Sequence, residues 1–338
     1  MRPTLRPLHA LLLLIALLAV QSLAAPTFAQ AQLYQVPGPN SPTTKEQVPL
    51  YVPQDDKVIG RVSIPDQKLA VLVQPEGREW REWRSHTLRL AIGGLAIGVT
   101  AVLTVFFLYR GTIRIHGGKS GRLVLRFNGL DRFAHWTTAV SFLTMALTGV
   151  ILTFGRTLLI PLIGHQAFTP LAEYSKSIHN FVSVPFVVGL LLIVALWMRD
   201  NIPEKSDWQW VKTGGGLFSK AGGHHPEAGR FNAGQKGVFW GIVLGGIGMI
   251  VTGYLLMVPF AFTGIGGMQI MHVIHGLLAA VLIAVVIGHI YIGTIGMEGA
   301  FDAMGSGDVD EAWAIEHHRR WYEEQLRKGY VEGRQPAE

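Results

Sequence analysis

The chain has 338 residues, 49% hydrophobic and only 15% charged, with a net charge of +6 and a mean hydropathy of +0.32, which excludes an ordinary soluble surface and points to a membrane protein. The basic residues stand beside apolar segments rather than along one amphipathic face, so they orient the chain against membrane lipid and imply no nucleic-acid partner. There is no cysteine, which excludes disulfides, CxxCH haem attachment and cysteine-ligated iron–sulfur or zinc centres within this chain.

Residues 1–31 read as a secretory signal peptide. Arg2 and Arg6 precede an apolar run from Ala10 to Val20, and Ala29-Gln30-Ala31 fits the cleavage pattern. An uncleaved first anchor is the alternative, but the apolar core is short for a span. Residues 32–85 are Pro-rich and polar, with strand-like runs "KVIGRVSI" and "KLAVLVQP", and read as an extracytoplasmic segment. Trp80 and Trp83, among Arg78, Arg81 and Arg84, suit a membrane interface.

Five apolar spans follow, at 88–109, 134–155, 178–198, 237–257 and 270–293, each near the ~20 residues that cross a bilayer. The first belongs to an additional helix at 86–110. The other four form a core over 120–297. A polar tail, 298–338, carries the helical stretch "EAWAIEHHRRWYEEQLRKGY".

Orientation follows from the loops. Residues 110–132 hold Arg110, Arg114, Lys119, Arg122, Arg126 and Arg132, and the 199–236 loop and the tail are similarly basic, whereas 258–269 has no Lys or Arg. The basic stretches are therefore cytoplasmic, with the mature N-terminus outside and the C-terminus inside.

Histidines within spans are costly and need a reason. His135 and His289 lie near the cytoplasmic face, His179 and His275 near the outer face. His275 and His289 are fourteen residues apart, about 1400° of helix, so they point nearly the same way with about 21 Å between them. His272 is about 100° off the direction of His289, so His275 is the better ligand candidate. Two stacked pairs of opposed imidazoles match two bis-histidine haems in a four-helix bundle. Two axial histidines leave no open iron position, which favours electron transfer over haem catalysis. Gly149, Gly189, Gly276 and Gly288 relieve crowding nearby. Metal transport and proton-coupled transport fit less well, because the four core windows contain no Asp or Glu. The fold class is thus an all-α membrane protein: a four-helix transmembrane haem-binding bundle plus one additional N-terminal transmembrane helix.

These residues resemble the cytochrome b (gamma) subunits of membrane-bound respiratory formate dehydrogenases. The resemblance runs from about 120 to 325 through "RFNGLDRFAHWTTAVSFLTMALTG", "SIHNFVSVPF", "RDNIPEK", "RFNAGQKGVFW", "VIHGLLAAVLIAVVIGHIYIG" and "HHRRWYEEQ". It implies two haem b, one on the cytoplasmic side held by His135 and His289, one on the outer side held by His179 and His275. It also implies a quinone site, for ubiquinone or menaquinone, at Asn232, Gly234, Gln235 and His289. An Asn side chain and backbone N–H groups at a helix N-terminus would supply donors to quinone carbonyls, and Lys236 positive charge. The alternative is that Asn232 only caps the helix. Formate oxidation would belong to a molybdenum- or tungsten-containing catalytic alpha subunit, with an iron–sulfur beta subunit between it and this chain, in the bacterial inner membrane. Residues 1–119 exceed the compact form of that family. Rival readings are the cytochrome b subunit of a nickel–iron hydrogenase or thiosulfate reductase, and a haem-free membrane anchor.

Overall fold

The computed structural model describes residues 52–54, 57–59, 75–216 and 227–330. The signal peptide, most of the Pro-rich segment and the run from Lys68 to Gln74 lie outside the described residues. Of "KVIGRVSI", the described part is a short strand, β2 (Lys57–Ile59), antiparallel to β1 (Val52–Gln54).

Helix α1 (Pro75–Trp83) runs through a π-helical turn, Arg84–Leu88, into α2 (Arg89–Arg110). The four core helices are α3 (Gly129–Leu158), α4 (Ile160–Trp197), α6 (Ala233–Met257) and α7 (Ile265–Tyr291). A short α5 (Lys205–Lys212) lies in the loop between α4 and α6. Among the described residues five stretches are long and apolar enough to cross a membrane, the additional helix and the four core helices.

The core helices outrun their apolar windows. α3 begins at Gly129, five residues before the window, because Asn128 caps it: its side-chain oxygen accepts from the N–H groups of Leu130 and Asp131 at 2.9 and 3.0 Å. α4 begins at Ile160, well before its apolar window at 178–198. Its first turn is set off by Gly164, at φ 76° and ψ 170°, a backbone conformation that favours glycine.

α3 packs against α4, and α6 against α7. Small residues set these contacts. A methyl on Gly189 of α4 would meet the Thr138 backbone nitrogen of α3 at 2.8 Å, and one on Gly245 of α6 would meet Leu282 of α7 at 2.6 Å. α2 lies outside the bundle on α7 and has no buried residue. Its anchors are Phe106 and Phe107, edge-on to Tyr291, and Arg89, which donates to the Thr157 hydroxyl at 2.7 Å.

One end of the bundle carries a polar cap. Strand β3 (Leu123–Leu125) pairs antiparallel with β4 (Asp308–Asp310), which follows α8 (Asp302–Gly305) and leads into α9 (Glu311–Arg327). Asp310 accepts from the N–H groups of Ser120, Gly121 and Ala312 at 2.9–3.0 Å, tying the loop to the start of α9. Arg126 lies at the cap's centre, about equally far from the Phe127, Trp313 and Trp321 rings at 5.1–5.2 Å. Its Nη2 donates to the Arg230 carbonyl at 2.6 Å and to Nε2 of His318 at 3.1 Å. Nδ1–H of His318 donates to the Gly229 carbonyl at 2.8 Å. His318, with no exposed surface, must therefore stay neutral.

Burial, and then the neighbouring Arg126 charge, hold the His318 pKa well below 6.5. Burial lowers that of Arg126 to about 9, with Arg230 adding to it. The folded cap thus refuses a proton that the open chain takes up near pH 6.5, so stability is lost as pH falls below that value. Hydrogen-exchange protection of α9 is expected to drop between pH 7.5 and 5.5, and much less so in His318→Gln. A second expectation concerns the helix contact. Gly189→Ala should destabilise the detergent-solubilised protein by about 1–3 kcal/mol through overpacking. Gly98→Ala, whose added carbon meets nothing within 4 Å, should leave the thermal midpoint unchanged.

Candidate functional site

The bundle brings the four histidines together in two pairs. His135 on α3 faces His289 on α7, with ring centroids 6.1 Å apart and planes at 59°. His179 on α4 faces His275 on α7, at 6.3 Å and 62°. These are the pairs that depth and helical phase predict. The first lies at the cap end and the second at the far end. Trp136, next to His135, donates its indole N–H to the Met304 carbonyl at 2.9 Å, fixing that end of α3 to the cap. His289 alone of the four is exposed, and His272 is exposed on another side of α7.

The far pair is held by two threonines that sequence reasoning missed. The Thr148 hydroxyl donates to the Thr144 carbonyl at 2.8 Å, so its lone pairs face Nδ1 of His179 at 3.0 Å. The Thr252 hydroxyl does the same, donating to the Gly248 carbonyl at 2.8 Å and facing Nδ1 of His275 at 2.9 Å. With each hydroxyl proton committed, Nδ1–H is the donor to threonine and Nε2 keeps its lone pair for a metal. The next residue is glycine in both helices. A methyl on Gly149 would sit 3.5 Å from His179 Cε1, and one on Gly253 3.4 Å from His275 Cε1. The signal was available in sequence as a repeated M-x-x-T-G step, "MALTG" and "MIVTG".

The expected glycines divide. Gly149 opens room for a histidine ring and Gly189 for α3, whereas Gly276 faces Ile92 of α2 and Gly288 has open space beside it. Two imidazoles bound on opposite sides of one metal, each at about 2 Å, have ring centres about 6 Å apart. Both pairs fit that requirement. Among the described residues no three His, Asp or Glu side chains cluster as a ligand set, so the chemistry available is that of two separate imidazole pairs.

The turn before α6 is a reciprocal cap. The Asn232 side-chain oxygen accepts from Gln235 N–H at 2.9 Å, and the Gln235 side-chain oxygen accepts from Asn232 N–H at 3.1 Å. The amide Nδ2 of Asn232 takes no part in it. Gly234 lies under Trp210, whose ring would meet an added methyl at 2.8 Å. Lys236 does not offer its charge to this turn as the sequence reading had it. It is buried, bonded to Asp207 at 2.8 Å and to the Ile202 carbonyl at 3.0 Å.

Apolar helices joined by opposed histidine pairs define a multi-pass membrane cytochrome b. Residues 126–307 match the family model of prokaryotic cytochrome b561, and the chain belongs to that family. Within it, the chain is similar to cytochrome b subunits of formate dehydrogenases. It is 30% identical over 208 residues to the cytochrome b556(Fdn) subunit of the nitrate-inducible formate dehydrogenase of Escherichia coli (strain K12), covering 60% of this chain and 92% of that protein. It is 29% identical over 205 residues to the cytochrome b556(fdo) subunit of formate dehydrogenase from the same strain, with the same coverage. A formate dehydrogenase cytochrome b556 subunit of Haemophilus influenzae is 28% identical over 208 residues, covering 84% of that protein. The family implies haem b binding.

The cap on α6 has a measurable weight. Asn232→Ala should cost about 1 kcal/mol of stability, and Asn232→Ser, which keeps a capping oxygen, only a few tenths. Thermal unfolding of the two variants checks this.

Proposed function

We propose that this chain is the dihaem cytochrome b subunit of a formate dehydrogenase complex, carrying electrons across the membrane to quinone and anchoring the complex. The observation that carries the reading is the two histidine pairs at opposite ends of one bundle. His135 and His289 would hold one haem b, and His179 and His275 the other. Bound haem b supplies one-electron transfer, and the protein supplies ligands, separation and an apolar surround.

The basic loops put the cap end in the cytoplasm of a bacterial inner membrane, with the mature N-terminus outside. Electrons then enter at the far pair from an iron–sulfur beta subunit. That subunit is fed by a molybdenum- or tungsten-containing alpha subunit, where formate is oxidised. Quinone is reduced near the cap end, beside exposed His289 and the turn holding Asn232, Gly234 and Gln235. The role of Asn232 is then double: its oxygen caps α6 and its Nδ2 is a donor for a quinone carbonyl. The formate dehydrogenase assignment is supported by the names of the relatives, and the quinone site by the exposure of His289.

The purified chain should contain two haem b, read by reduced-minus-oxidised and pyridine haemochrome spectra. His135→Ala should remove one spectral component and His179→Ala the other. Absence of b-type bands, or loss of the same component in both variants, refutes the dihaem reading. Asn232→Ser should keep stability while slowing quinone-dependent haem oxidation several-fold. An unchanged rate leaves Asn232 a cap only.

A further inference from the structure

The two histidine pairs differ in what meets Nδ1. At the far pair both rings donate Nδ1–H to a threonine hydroxyl, Thr148 for His179 and Thr252 for His275. At the cap-end pair, Nδ1 of His135 is buried with no partner, and among the described residues no hydroxyl bonds either ring. Back-bonding by threonine to its own helix is common in apolar helices and by itself means little. Thr100, Thr104 and Thr144 do it here, on Ala96, Thr100 and Val140, and bond no histidine. Thr148 and Thr252 stand apart because the same M-x-x-T-G step puts a hydroxyl on Nδ1, and a glycine beside the ring, in two different helices.

We propose that Thr148 and Thr252 are positioning residues that set the two haem sites to different potentials, the His179–His275 site being the lower. The inference rests on the dihaem reading and deepens it. A hydrogen bond accepted from Nδ1–H fixes the tautomer and makes Nε2 the more basic donor, which favours the oxidised metal. An imidazole whose Nδ1–H has no acceptor is the weaker donor and favours the reduced metal. The couple transfers one electron; no bond is made or broken, and the Nδ1 proton stays on the ring. An electron entering at the far pair therefore runs downhill to the cap-end pair, where quinone would take it.

The test is potentiometric titration of the purified complex, following the haem absorption bands of wild type, Thr148→Val, Thr252→Val and the two Thr→Ser variants. Each valine should raise the midpoint of one haem, by about tenfold in its reduction equilibrium, about 59 mV for a one-electron couple. The other haem should not move, and serine should restore the wild-type value. Valine variants that keep both haems with unmoved midpoints overturn the inference, as do variants in which both haems shift together. Should valine cost the haem, the wild type decides: the component lost in His179→Ala must be its lower-potential haem, and the reverse order overturns the proposal. Fewer than two haems in wild type would instead bring down the dihaem reading and the inference with it. Two haems with the wrong order leave that reading standing and remove only the inference.

Discussion

An imidazole held among apolar helices has two ring nitrogens to satisfy, and water is not there to do it. Much of the bundle follows from how that requirement is met. One nitrogen is turned toward a histidine on another helix. The other must find a partner on a neighbouring helix, or go without. Thr148 and Thr252 answer this at the far end with hydroxyls whose own protons are already spent on helix carbonyls. The consequence is directional, since a ring locked by its Nδ1–H cannot flip its tautomer, and Nε2 is aimed at the opposite ring. Small neighbours then border the rings. A methyl on Gly149 or Gly253 would already stand in van der Waals contact with the Cε1 atom of the ring beside it, at 3.5 and 3.4 Å.

The cap end solves a different problem. His135 lies only six residues into α3, so its position depends on how firmly that helix begins. Asn128 caps it, and Asp131, in the first turn, accepts from the Trp197 indole at 2.7 Å and from Arg230 at 3.1 Å. Arg230 reaches on to Asp200 at 2.8 Å. The starts of α3 and α6 and the end of α4 are thus bound by one partly buried charge network, and α9 closes over it through Arg126 and His318. A buried guanidinium among three aromatic faces, with a neutral histidine as acceptor, is stable only while that histidine stays unprotonated. The cap is therefore both an anchor for its end of the bundle and its pH-sensitive element.

Much of this was legible in the sequence, for physical reasons. Hydropathy marks the spans because lipid demands apolar windows of a fixed length. The pairing of His135 with His289 and of His179 with His275 follows because helical phase and depth are rigid over a straight span. What stayed hidden depends on contacts between distant residues. The β3–β4 pairing joins Leu123 to Asp310, and three-residue strands carry no periodic signal of their own. The early start of α3 depends on a cap, which hydropathy does not register. The threonine contacts were invisible because Thr148 is ordinary in its own helix and acquires a role only when α4 brings His179 alongside. The repeat of M-x-x-T-G was in view throughout, but a three-residue coincidence has meaning only once both copies face a histidine.

The additional helix shows the limit of reasoning from burial. α2 contacts α7 and the end of α3, yet contributes no buried residue and no histidine. The core would keep its four paired histidines without it. Its aromatic anchors, however, meet Tyr291, two residues from His289, and its Ile92 meets Gly276, next to His275. A helix that touches α7 beside both of its paired histidines stiffens the one element that serves both ends. Since α7 alone carries a member of each pair, any slip along its axis would move both sites at once. An outer helix packed against it at two depths resists that motion more effectively than the same contacts gathered at one end.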